Sequence, residues 1–220
     1  MASRASAVDR SSLSREDSLV LWITRHWLAL LNLAIFAYLA LAFLAPLLMH
    51  WGAAGPARLI YLVYSFACHQ LPDRSYFLFG QRLVYPLPEL EALNVLPGLG
   101  ILERRHFIGN EEMGWKVALC QRDVAIYGAL LAGGLLFGVL RRRMARLPWK
   151  VFLLCLLPIG VDGVTQLVGL RTSTWWLRTL TGGLFGLATA WLALPYVEEA
   201  MNDVRFGLLR KLDKIRRPGV

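Results

Sequence analysis

Charge is scarce in this chain, and cysteine is scarcer. Only 18% of its 220 residues are charged and three are cysteine. Three cysteines (Cys68, Cys120, Cys155) exclude a disulfide-dense secreted scaffold but leave room for one pair on an oxidising side. Also missing are the P-loop, the GxSxG nucleophile elbow, the HExxH zinc helix and the dinucleotide fingerprint. The chain has too few long apolar runs for an evident inverted-repeat transporter unless it oligomerises.

What is present is apolar. Hydrophobic residues make up 56% of the chain, with a mean hydropathy of +0.48, more than the core of a soluble domain this size requires. The formal net charge is +9, but the basic residues sit beside long apolar runs, which a soluble nucleic-acid binder does not carry. No nucleic-acid partner is expected; the charge is read as orientation and contact with anionic lipid.

Four runs are long enough to cross about 30 Å of hydrocarbon as helices: about 27–50, 117–140, 150–170 and 176–197. A further run, about 57–70, is too short for an ordinary span and reads as a short or re-entrant segment. The first run exceeds a secretory h-region and reads as a retained anchor. The expected fold is therefore all-α, a polytopic integral membrane helix bundle with four full spans plus one short or re-entrant segment, five spans being the alternative. Trp27, Trp51, Trp115, Trp149, Trp175 and Trp176 fall near the expected span ends, as an interfacial aromatic belt would.

Lys and Arg bias fixes direction. Arg141, Arg142, Arg143, Arg146 and Lys150 crowd one link, and Arg205, Arg210, Lys211, Lys214, Arg216 and Arg217 fill the C-terminal segment. Arg4, Arg10, Arg15 and Arg25 precede or open the first run. The expectation is a multi-pass protein of a prokaryotic cell membrane with both termini cytoplasmic. Residues 1–26 form a cytoplasmic segment, 27–197 a membrane domain with an external loop at about 80–116, and 198–220 a basic cytoplasmic tail.

An ionisable group inside a span costs at least about 2.5 kcal/mol, so each is a candidate functional residue. The helix expected from about 117 would carry Cys120, Asp123 and Tyr127 at i, i+3 and i+7, on one face. The next carries Asp162 and Gln166 at i, i+4, followed by Arg171, and the last opens with Arg178 and Thr181. The orientation rule brings all of these, with Arg122 and the Cys68, His69, Gln70 and Arg74 stretch, to one outer level. Gly134 with Gly138 and Gly182 with Gly186 would let helix backbones approach closely.

The stretches CHQLPDRSYFLFGQ, CQRDVAIYG and DGVTQLVGLRTSTWWLRTLTGG, taken in order, resemble the DUF2085 family of predicted prokaryotic membrane proteins, over about Tyr61 to Gly186. The last is also loosely similar to VanZ-like membrane proteins. The DUF2085 name records an unknown function, so the resemblance points to these positions and supplies no reaction.

Three chemistries fit the residues. Cys68, His69, Cys120 and Asp123 offer ligands for a transition metal such as zinc. Cys68 and Cys120, on one side, would also suit a disulfide or redox pair. Arg74, Arg122, Arg171 and Arg178, with Gln70 and Gln166, suit a phosphate or carboxylate, while Asp123, Asp162 and His69 are candidate acid/base groups. The functional expectation is a membrane enzyme acting on a lipid or anionic small molecule, by redox or metal-dependent chemistry. The alternative is a non-catalytic subunit or scaffold of a larger membrane complex, in which buried ion pairs only hold the helices. The lipid bilayer is the one partner both readings share.

Overall fold

The computed structural model describes residues 14–98, 100–141 and 143–216. Arg4, Arg10, Arg142 and Arg217, used above for orientation, lie outside the described residues.

The chain opens with helix α1 (Arg15–His50), followed by the short α2 (Ala54–Tyr64) and strand β1 (Ser75–Leu78). Two brief helices, α3 (Leu87–Ala92) and α4 (Ile101–Arg104), lead to strands β2 (Gly109–Asn110) and β3 (Gly114–Cys120). Helices α5 (Gln121–Leu140), α6 (Trp149–Leu167) and α7 (Trp175–Arg216) complete the fold. Among the described residues, α1, α5, α6 and α7 are long and apolar enough to cross a membrane. With 11 residues, α2 reaches only about 17 Å and cannot.

Helix α1 starts well before its apolar run. Ser14 caps it by accepting the Asp17 amide at 3.1 Å, and Glu16 and Asp17 complement the helix dipole in the first turn. Trp27 consequently lies within α1 rather than at its start. It is buried, packs on Phe137 and donates its indole N–H to Glu198 Oε2 at 2.9 Å. Trp115 likewise lies in a strand. At the far end, α7 remains helical to Arg216, where a tail was expected. There Arg146 pairs with Glu199 and stacks over Tyr196, and Arg141 approaches Glu198.

The bundle is tightest between α5 and α7. A Cβ on Gly182 would lie 2.9 Å from the Arg122 carbonyl oxygen, and one on Gly186 2.4 Å from that of Ile126. The small residues therefore permit backbone contact between the two helices. Gly134 performs the same service for α1, where the Asn32 amide fills the space a Cβ would need.

The all-α expectation needs correcting, because β1, β3 and β2 form an antiparallel sheet in that order. Ser75 pairs with Cys120 and Phe77 with Lys116. Residues 117–120, expected to begin a helix, end β3 instead. A short continuous apolar run such as Val117, Ala118 and Leu119 suits a buried strand as well as a helix, and periodicity cannot separate the two. One side of the sheet packs against Ala42, Ala45, Ala57, Ile60 and Tyr61 of α1 and α2. Phe77, Tyr85, Leu90 and Met113 build a small separate core beneath the 80–108 segment. Gly114, at φ +80°, lets β3 begin where any Cβ would sit 2.2 Å from the Leu78 carbonyl oxygen.

Candidate functional site

At the sheet end of the bundle the chain leaves α2, turns, and enters β1. Gln70 makes this turn with φ 53°, an uncommon conformation for a residue with a side chain. It is held by its own amide, which donates to the Tyr61 carbonyl at 2.9 Å. Beside it, Cys68 is pinned by its amide bond to the Tyr64 carbonyl. Opposite, β3 ends at Cys120, which is also the N-cap of α5, its sulfur accepting the Asp123 amide. Cys120 and Asp123 thus meet through a cap rather than by sharing a helix face. These segments, with α6 and α7, enclose a cavity of about 240 Å³. Cys68, His69, Gln70, Arg74, Cys120, Arg122, Asp123, Gln166 and Arg178 all line it.

Asp162 and Arg171 stand behind this wall, outside the lining. Asp162 is 1% exposed and its carboxylate accepts three hydrogen bonds. Arg122 donates to Oδ2 at 2.5 Å, Arg171 to Oδ1 at 2.9 Å and Ser173 to Oδ2 at 3.0 Å. Buried and outside the cavity lining, this carboxylate meets no substrate there, and its three bonds position Arg122, Arg171 and Ser173.

Arg178 is different. It is 5% exposed, and its Nη1 donates to the Asp73 carbonyl and to Gln121 Oε1, each at 3.2 Å. With its amide oxygen turned inward, Gln166 accepts from Nη2 of Arg178 and of Arg74, both at 3.1 Å. Every one of these acceptors is neutral. Among the described residues no carboxylate lies within 4.0 Å of the Arg178 guanidinium, and its Nε has no partner. Arg74, by contrast, has Asp73 at 3.5 Å.

Across the cavity, Cys68 and Cys120 are free thiols. The Cys120 amide donates to Cys68 Sγ at 3.3 Å, and the Cys120 thiol to Asp123 Oδ2 at 3.2 Å. Interaction with the Cys120 side chain holds the Cys68 thiol below its ordinary pKa; the same pairing, with burial, pushes that of Cys120 up. The donor atoms of Cys68, Cys120 and Asp123 lie within 4.8 Å of one another. His69 lines the cavity from an exposed position and is not one of this group.

Three residues outside the sequence-based set matter to the geometry. Lys116 is wholly buried in β3, with Nζ donating to the carbonyls of Gln70 at 2.7 Å and Arg105 at 2.6 Å. Burial lowers its pKa from 10.5 to about 7. Gln121, also wholly buried, bridges Arg178 to the Ser75 carbonyl. Ser173 supplies the third donor to Asp162. Gln121 and Ser173 sit inside the motifs already noted, so their position was a signal. Lys116 closes the stretch expected as an external loop at about 80–116, and only the strand places it indoors.

Residues 103–192 match a family model described as a predicted membrane protein, DUF2085. The match takes in the second and third motifs and begins after the first. The chain is also 29% identical over 178 residues to the uncharacterized protein MJ1492 of Methanocaldococcus jannaschii, covering 78% of this chain and 92% of that one. No solved structure matches.

Proposed function

We propose that this DUF2085-like membrane protein binds a phosphate-type anion, free or as a lipid headgroup, in the cavity at the sheet end of its bundle. One observation carries the reading. Among the described residues Arg178 is a buried guanidinium with an idle N–H and only neutral hydrogen-bond partners, and a buried charge with no carboxylate in direct contact is costly. Arg74 shares the wall and the Gln166 acceptor, so the two forks can close on one planar or tetrahedral anion. A volume of about 240 Å³ accommodates a headgroup phosphate while leaving acyl chains to the bilayer.

Arg141, Arg143, Arg146 and Lys150 lie at the opposite end of the bundle, which supports a cytoplasmic location for that end and an outward-facing cavity. A purely structural role suits the Asp162 cluster, in which both arginines touch a carboxylate, but leaves Arg178 unexplained. His69 and Asp123, which also line the cavity, are its candidate proton-transfer groups.

The test uses purified protein in detergent and in nanodiscs. Inorganic phosphate is titrated by calorimetry, and retained phosphatidylglycerol is compared with phosphatidylcholine by native mass spectrometry. Binding of either anion, weakened roughly tenfold or more in Arg178→Gln with an intact elution profile, is the expected result. Binding of both anions at unchanged affinity in Arg178→Gln would overturn the assignment, as would no binding of either to the parent protein.

A further inference from the structure

We infer that Cys68, Cys120 and Asp123 form a three-ligand site for a thiophilic divalent cation of the zinc class, with its fourth position open to the cavity. The inference goes beyond anion binding and does not rest on it.

The geometry comes first. Tetrahedral zinc at about 2.3 Å from sulfur and about 2.1 Å from oxygen sets ligand atoms about 3.4–3.8 Å apart. The three donor atoms already lie within 4.8 Å of one another, and Cys120 Sγ is 3.2 Å from Asp123 Oδ2. Side-chain rotations of about 1 Å therefore complete the triangle without moving backbone.

The scaffold is rigid where it must be. Cys120 closes β3 and opens α5, while Cys68 is tied to the last turn of α2. Backbone amides already point at both sulfurs, that of Cys120 at Cys68 Sγ and that of Asp123 at Cys120 Sγ. Such N–H···S bonds stabilise thiolate charge and orient the ligand, as second-shell contacts do in metal sites. Two sulfurs with one carboxylate favour zinc over calcium or magnesium, which prefer all-oxygen shells.

Charge gives an independent check. Around the cavity, Arg74, Arg122, Arg171 and Arg178 face Asp73, Asp123 and Asp162, which leaves one positive charge. Binding a divalent cation releases two thiol protons, so the incoming charge is cancelled by the two thiolates and the surplus is unchanged. A loaded site is electrostatically tolerable here, and it leaves Arg178 free for its own ligand. His69, exposed and adjacent in sequence to Cys68, is not required.

The test is elemental analysis of reduced, full-length protein purified without chelator, followed by cobalt substitution. About one zinc per chain is expected, with the charge-transfer and visible bands of tetrahedral thiolate-bound cobalt. Cys68→Ser and Cys120→Ser should abolish these bands, and Asp123→Asn should weaken the affinity 10–100-fold or more. Cys155→Ser and His69→Ala should change neither. Maleimide labelling of the unmutated protein keeps the question decidable if a cysteine variant fails to fold: zinc should protect Cys68 and Cys120, and a chelator should expose them. A protein that binds neither zinc nor cobalt when reduced, or whose two thiols label equally with and without zinc, overturns the inference. Recovery of a Cys68–Cys120 disulfide that persists under cell-like reducing conditions would do the same.

Discussion

Lys116 puts an ammonium group where no water reaches it. Its pKa in the fold, about 7, lies below the ordinary 10.5, so between those values the unfolded chain binds the proton and the folded chain does not. Stability therefore rises with pH from about 7 toward 10.5, and the burial penalty is fully present below that window. Thermal unfolding of detergent-solubilised protein should show this rise, and Lys116→Met should flatten it. Asp162 makes the opposite case, a buried charge that holds others in place. Asp162→Ala strands the mostly buried Arg122, while the more exposed Arg171 can turn to solvent, and the change should cost about 3 kcal/mol, read as a lower unfolding midpoint in denaturant. Sequence made both aspartates and all the arginines visible, because charge inside an apolar run is conspicuous. It could not rank them: whether Asp162 reacts or positions depends on three donors, one of which, Ser173, carries no charge to single it out within its motif. That no carboxylate among the described residues touches Arg178 is a fact about distances, which no residue pattern contains.

Helices were legible wherever an apolar run exceeded the thickness of a bilayer, and their ends were not. Hydropathy marks where lipid begins, whereas Ser14 and the Glu16 and Asp17 turn decide where α1 begins; likewise nothing apolar marks the end of α7. The sheet was hidden for another reason. Val117, Ala118 and Leu119 of β3 point to alternate faces and all three are buried, so the strand is covered on both sides and its sequence shows no alternation. The glycine spacing of α7 was readable and makes a directional prediction. Gly186→Leu sets a side chain against the Ile126 carbonyl oxygen, where even a Cβ would approach to 2.4 Å, while a Cβ on Gly183 meets nothing within 4 Å. The first substitution should destabilise by about 1–3 kcal/mol and the second by much less, measured by heat-induced aggregation of the two variants side by side.

At the level of the whole molecule, one end carries the sheet and the cavity and the other carries the basic link and the C-terminal half of α7. If charge bias sets the orientation, cysteines introduced at the two ends will react from opposite sides. Arg82→Cys should label with an impermeant maleimide added to intact cells, and Arg143→Cys only after lysis, each against the parent background. The reverse pattern would invert the topology without altering the fold.

The cavity joins residues far apart in the chain, with Arg178 and Asp73 separated by 105 positions. During synthesis Cys68, Cys120 and Arg122 reach the membrane before their last partners exist. Asp162 neutralises Arg122 when α6 arrives, but Gln121 waits for α7 to bring Arg178. A chain ending before Trp175 lacks Arg178 and leaves the Asp73 carbonyl and Gln121 without this partner, so the pocket closes only once α7 is in place.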